Sequence, residues 1–499
     1  MSGDKNTSKP SKSYVMMRWL FLRLLSIVYL IAFISVYVQI AGLIGINGII
    51  PAGPFLESAA KAGLGFWQVP TVAWLDHSDR ALQLIPLAGA FFAFLSMLGI
   101  FTAPSIFACW LFYLSLMTIG GDFLMFQWDS LLLETGFLAI FFSPWQMFEP
   151  PWKFSKTIAQ PPRIILFLLR LLLFKLLFLS GLCKIASGDP TWQNLTALTY
   201  HYETQPLPTP LAWFGNQLPF WFQQFCCGFV FFEELIVPFL IFAPYRIRLV
   251  GATLMLFLQF MIAATGNYAF FNLLTIVLIF TLLDDAVIAR LLPTQITKWF
   301  AQDIRQPLSK VHSVAAYGCL TLLITIFLCQ TARGFSPLSP LQEPARTFLA
   351  FIAPFQIVNR YGLFAIMTTR RPEIIIEGSN DGLIWKEYEF YFKPGNINLP
   401  PPLVAPYQPR LDWQMWFAAL ADYQSSPWFM SLVRRLLDGS PDVLALFKTN
   451  PFPDKPPHYI RALLYDYNFT NYEQQRATGA WWRRVAKGVY FPVATLGSN

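Results

Sequence analysis

The sequence predicts a polytopic α-helical membrane domain followed by a soluble α+β domain with a β-sandwich-like sheet and a helical insertion. Three observations predict it. Only 13% of the 499 residues are charged and 55% are hydrophobic, whereas a soluble chain has about 25% charged residues. The deficit lies in the first two thirds, a series of long apolar runs, and charge returns beyond about Arg333. From there on, β-branched and aromatic stretches alternate with Gly/Asn/Asp and Pro-rich turns, the texture of strands.

The chain begins with a polar, basic segment, residues 1–18, that leads into a retained first span rather than a cleaved leader, since no small-residue cleavage site follows the apolar stretch. A span needs about 20 apolar residues. Nine segments within a multi-pass domain over 19–332 approach this: 19–44, 82–100, 104–119, 123–142, 164–186, 222–243, 248–264, 268–283 and 312–330. Cytoplasmic loops of membrane proteins collect Lys and Arg. With the basic N-terminus inside, nine crossings place the basic loops 143–163, 244–247 and 284–311 inside. The long loop 187–221, which has no Lys or Arg, then falls outside. The C-terminal domain follows on the outer, trans side. The +8 formal charge therefore reads as topology, with the lipid bilayer as partner and no nucleic acid.

In the soluble part, assigned to 333–472, the stretches 373–377 and 385–392 flank the turn Gly378–Gly382 and predict a β-hairpin. Residues 412–438 predict helix, restarted at Pro427, and 458–469 a last strand. Residues 473–499 read as a basic, aromatic tail. The six cysteines lie in or beside apolar segments without metal or CxxC spacing, so neither a disulfide framework nor a structural metal is expected, and no cofactor is called for. The sequons at Asn194 and Asn468 fall outside, where chance occurrence is the favoured reading.

Charges inside apolar segments are costly, roughly 2.5–3.5 kcal/mol or more each when unpaired, so they pair or line a polar cavity. Asp122 and Asp129, seven apart, share a helical face, and Glu134 follows. The fifth segment carries Arg170, Lys175 and Lys184, and the sixth Glu233 and Glu234. The economical reading is a structural ion-pair network in which Asp129 or Glu134 meets Arg170 or Lys175. In loop 187–221, His201 stands between two tyrosines and beside Glu203. A hydrogen-bonded structural role is the commoner one for such a residue, and a general base the sharper alternative.

Three strings make the chain recognisable: residues 126–142 (FQWDSLLLETGFLAIFF), 189–205 (DPTWQNLTALTYHYETQ) and 410–420 (RLDWQMWFAAL), with Lys393-Pro-Gly395 and Ser426-Pro-Trp-Phe429 in support. They resemble the lipase maturation factor family over nearly the whole chain. The resemblance implies a membrane-embedded, chaperone-like maturation or assembly factor for secreted proteins, by resemblance lipases. It would lie in the endoplasmic reticulum membrane of a eukaryote, or in the inner membrane of a bacterium. It also implies that the outer domain engages the client, for which Trp413, Trp416, Phe417, Trp428 and Phe429 are candidate contacts if exposed. A shorter resemblance, from Leu182-Cys-Lys184 through Trp192 to Tyr202, is to the membrane core of vitamin K-dependent γ-carboxylases. It implies the alternative of a membrane enzyme with Lys184 as catalytic base and His201 in the same polar cavity. Enzymatic activity is left open, with a non-enzyme as the favoured reading. A transporter is disfavoured, because no inverted repeat relates its halves.

Overall fold

The computed structural model describes residues 13–152, 157–300, 304–332 and 342–497. Among the described residues, seven helices are long and apolar enough to cross a membrane: α1 (Val15–Tyr37), α2 (Asp79–Leu98), α3 (Thr102–Ile119), α5 (Arg163–Ala186), α7 with its 3-10 continuation (Phe220–Phe242), α8 (Tyr245–Thr265) and α10 (Lys310–Gln330). The fourth and eighth predicted segments are helical but short. Helix α4 (Gln127–Phe142) has 16 residues and α9 (Phe271–Phe280) has 10, roughly 24 and 15 Å of helix against a hydrocarbon core of about 30 Å. A short helix α6 (Leu198–Thr204) sits in the outer loop.

Local chemistry sets the ends. Ser78 caps α2 by accepting the N–H of Ala81 at 3.3 Å, and Gly99, at φ 80°, closes it in the left-handed conformation that glycine adopts without cost. The N-terminus of α1 is capped from afar, since the Asp285 carboxylate accepts the N–H groups of Val15 and Met17 at 2.9 and 3.0 Å. A carboxylate there also favours the helix dipole. Gly136 on α4 leaves no Cβ to meet Tyr29 of α1, so the tyrosine hydroxyl reaches the Leu132 carbonyl at 3.1 Å.

Two ends of the bundle are distinct. At one, the short strands β1 (Thr157–Ala159) and β2 (Ile304–Gln306) pair in parallel, bringing the basic loops 143–163 and 284–311 together. Asp285 joins them to the start of α1, and the Arg23–Glu149 ion pair lies at the same end. The opposite end carries the C-terminal domain, which is linked to the bundle through α11 (Gln342–Ile352).

That domain is α+β, as predicted. Strands β3 (Arg371–Ser379), β4 (Lys386–Glu387), β7 (Tyr459–Phe469) and β8 (Trp482–Ala494) form an antiparallel sheet ordered β4-β3-β7-β8. A second pair is formed by β5 (Glu389–Phe390) and β6 (Phe447–Thr449). Helices α12 (Arg410–Ala419) and α13 (Pro427–Leu437) are the insertion. The predicted hairpin is β3–β4, with Glu377 opposite Glu387. The tail requires correction. Residues 482–494 are not a free basic terminus but edge strand β8, paired with β7 along its length. Its burial is uneven, with a buried start at Trp482 and an exposed middle, so its sequence lacks the clean alternation that marks a strand.

Candidate functional site

The charged side chains of the apolar segments converge on the junction between the bundle and the C-terminal domain. Asp129 lies in the first turn of α4 and is fully buried. It meets neither Arg170 nor Lys175. Its partner is Arg410, the first residue of α12, which is also fully buried. Arg410 Nη2 lies 2.9 Å from Asp129 Oδ1, and Nη1 reaches Oδ2 at 3.2 Å and the Phe123 carbonyl at 2.7 Å. The Tyr113 hydroxyl contacts both members of the pair. Burial pulls the Arg410 guanidinium down, but Asp129 and Tyr113 outweigh it and hold it above its ordinary value. The backbone is locked alongside: Arg410 N–H donates to Gln39 Oε1 at 2.8 Å, and Gln39 Nε2 donates to the Gln408 carbonyl at 2.8 Å.

The remaining members fall into two groups. Glu134 pairs with Lys175 and also accepts the Tyr361 hydroxyl at 2.7 Å and the Asn359 N–H at 3.0 Å. Among the described residues Arg170 has no carboxylate partner. It donates to the Thr281 carbonyl at 2.7 and 3.0 Å and lies over the Tyr14 ring. Lys184 pairs with Glu234 at 2.7 Å, donates to the Ser180 carbonyl at 3.2 Å and packs over Trp192. Glu233 is fully buried, and neither carboxylate oxygen is hydrogen-bonded among the described residues. Asp122 departs from the expected network. It is exposed in a 3-10 turn ahead of α4, so it shares no helix face with Asp129 and offers only its carbonyl, to Gln414.

Lys184 and His201 share no polar contact. Trp192 and Phe364 stand between them: the indole of Trp192 donates to the Phe364 carbonyl at 2.9 Å, and the Phe364 ring meets His201 edge-on at 4.8 Å. The tautomer of His201 follows from its neighbours. The Tyr268 hydroxyl spends its proton on Gln205 Oε1 at 2.7 Å. His201 Nε2, 3.1 Å from that hydroxyl, is therefore the donor, and the buried Nδ1 is left bare and unpartnered. Burial, with a smaller push from the Lys184 charge, holds the imidazole pKa down to about 4, so the ring is neutral at pH 7. With Lys184 tied to Glu234 and separated from His201 by Trp192 and Phe364, the two side chains do not share the single polar cavity that the carboxylase-like reading requires.

Loop 187–221 is a cradle for the C-terminal domain. Arg371, at the start of β3, donates to the carbonyls of Glu203 (2.6 Å), Gln205 and Pro206 (2.8 Å). It also heads a buried ion-pair chain through Glu373 to Lys393. Glu203 accepts the Phe469 N–H at 2.9 Å and the Asn468 amide at 3.1 Å, so the second sequon asparagine is used internally. The exposed Asn194 has no such role. Asn267, between α8 and α9, bonds Leu207, Pro208 and Pro402 through its amide. Its oxygen accepts the N–H groups of Val404 and Ala405.

The aromatic client candidates also need correction. Trp413, Trp416, Trp428 and Phe429 are buried. Trp413 meets Trp128 at 4.7 Å, Trp428 meets Phe123 at 5.4 Å, the Trp416 indole donates to the Thr204 carbonyl at 2.8 Å, and Phe429 packs on Tyr490. They form the interface and the domain core; Phe417 alone of the five is exposed, at 43%. Sequence reasoning missed Arg371, Arg410, Glu373, Lys393 and Asn267. The available signal was Asp129 itself, a carboxylate in an apolar helix that requires a cation. Among the described residues no group of three His, Cys, Asp or Glu side chains has the arrangement of a metal site, and all six cysteines are free.

Spans, seam and docked domain together define a multi-pass integral membrane protein with a C-terminal α+β domain fixed to one end of its helical bundle. Residues 16–290 match the family described as lipase maturation factor transmembrane domain, and residues 357–492 match its C-terminal domain. The chain belongs to the lipase maturation factor family. It is 38% identical to lipase maturation factor 2 of Gallus gallus over 96% of this chain and 81% of that one. It is 36% identical to the Homo sapiens protein of the same name, over 96% and 83%. To lipase maturation factor 1 of Mus musculus it is 34% identical, over 96% and 87%. No solved structure matches.

Proposed function

We propose that this chain is a chaperone-like maturation factor that receives secreted lipases on its C-terminal domain, on the trans side of the endoplasmic reticulum membrane in a eukaryote or the inner membrane in a bacterium. The observation that carries the reading is the seam. Asp129, Arg410, Arg371 and Glu203 are consumed in fixing the two domains to each other, which makes a rigid scaffold rather than a catalytic cavity. The meeting of the two basic loops at the end away from the C-terminal domain supports an inward N-terminus, with nine crossings when α4 and α9 are counted. With the tryptophans buried, client contact passes to exposed apolar groups. The β3–β4 hairpin offers Leu383 at 83% and Ile384 at 68% exposure, close to the turn that Asp381 organises, and apolar patches on an outer surface mark interaction sites.

The test is secretion of active lipase from cells lacking their own maturation factor. The chain is expected to restore it. Leu383→Asp with Ile384→Asp is expected to lose most of the restoration at unchanged protein level and protease resistance. No gain of lipase activity with the intact chain would end the proposal.

A further inference from the structure

Two segments far apart in sequence build an exposed aromatic face beside the ends of the spans. Trp67 is 59% exposed and Phe351 53%, and their rings stack at 5.8 Å and 29°. Phe355 packs against Trp67 at 6.0 Å and Phe66 at 6.4 Å, and Leu64 is exposed close by in sequence. Phe351 belongs to α11, which is two-sided. Glu343 and Arg346 form an exposed ion pair at 2.9 Å on one side, while Phe348, Leu349, Phe351 and Ile352 make the other side apolar.

The height of this face follows from hydrogen bonds. Just beyond Trp67, the Pro70 carbonyl accepts from Thr118 at 3.2 Å and the Val72 N–H donates to Ser115 at 3.0 Å. Both partners lie in the last turn or so of α3, at the C-terminal-domain end. On the other segment, Asn359 binds Glu134 of α4, and α11 follows the span α10. The aromatic face is therefore level with the place where spans leave the hydrocarbon. Tryptophan is enriched at that depth, and amphipathic helices lie there with the apolar face buried roughly 5–10 Å into the headgroup–acyl boundary.

We propose that the face made by Trp67, Phe66 and α11 is an interfacial seat that takes the phospholipid of the leaflet on the C-terminal-domain side. Continuity with the lipid-facing spans selects lipid over a protein client. Such a seat anchors α11 in the leaflet into which α10, the least enclosed of the candidate spans among the described residues, runs.

The test uses the full chain in nanodiscs of phosphatidylcholine and phosphatidylethanolamine, with the photocrosslinking residue benzoylphenylalanine replacing Trp67 or Phe351. Phe257, exposed on the span α8, is the lipid-facing control, and Leu383 on the hairpin is the water-facing one. Irradiation is expected to add the mass of one phospholipid at 67 and 351 as it does at 257. Yields at 67 and 351 equal to that at 383, or adducts to added lipase in place of lipid, overturn the proposal. Trp67→Glu is expected to lower the adduct at 351 to the Leu383 level while the bundle stays folded. If that variant does not fold, the two single-site yields still decide.

Discussion

Replacing Arg410 with Met leaves the Asp129 carboxylate buried without a counter-charge. It also strips the Phe123 carbonyl and the Tyr113 hydroxyl of their guanidinium contacts. Both members of the pair are fully enclosed, so solvent screening does not weaken the loss as it does for surface pairs. Breaking a buried pair by removing one partner costs about 3–5 kcal/mol. At about 1.4 kcal/mol per factor of ten, the undocked state of the C-terminal domain is expected to become nearly a thousandfold more populated. Proteolysis of the chain in nanodiscs reads that population when opening is fast relative to cleavage, so its rate is expected to rise by a similar factor. Asp129→Asn is expected to be as severe, since it strands the guanidinium. The Asp129→Asn, Arg410→Met double variant removes both charges and is expected to cost about as much as either single change, a strong coupling for residues in one network. Additive losses, or an Arg410→Met chain as protease-resistant as the parent, would refute the claim that this pair locks the domains.

Two further predictions concern pH and run in opposite directions. The pKa of His201 is depressed from 6.5 to about 4. As pH falls through 6.5 the unfolded chain gains a proton that the folded chain refuses, so stability present above pH 6.5 drains away towards pH 4, by about 3 kcal/mol in all at 1.36 per unit. His201→Gln is expected to flatten that slope in thermal melts between pH 5 and 7.5; an unchanged slope would show that the imidazole is not held neutral. Asp412 is buried, and its pKa is pushed up to about 6 by burial, against the backbone N–H groups of Lys393 and Phe392 that it accepts at 2.8 Å and the nearby Lys393 charge. Here the unfolded carboxyl ionises first, so stability falls as pH rises from about 4 to 6, again by about 3 kcal/mol. Asp412→Asn is expected to raise the melting temperature at pH 7.5 and not at pH 4.

Much of the architecture was legible because burial in lipid leaves a coarse signature. Seven long apolar helices stand where nine apolar segments were drawn, and the β3–β4 hairpin, the helical insertion and β7 follow from period and turn residues. The site was less legible, for reasons of range. Lys175 meets Glu134 within the bundle, where helix spacing limits the choices. Asp129 instead found a partner 281 positions away, which no local pattern encodes. Tryptophans in an amphipathic stretch look the same whether they face a client or a neighbouring domain. Strand β8 hid behind its charges because the middle of an edge strand is exposed on both faces.

The seam also bears on the kind of work the molecule does. Lys184 is held by Glu234, Asp129 by Arg410, and Glu134 by Lys175 and Tyr361, whereas Glu233 and His201 Nδ1 are buried without a hydrogen-bond partner among the described residues. Fully paired buried charges add little net stability over a well-packed apolar core. What they supply is one geometry, since any other docking of the two domains would strand a charge. Under the proposed function, that single geometry would present the same outer surface to each client.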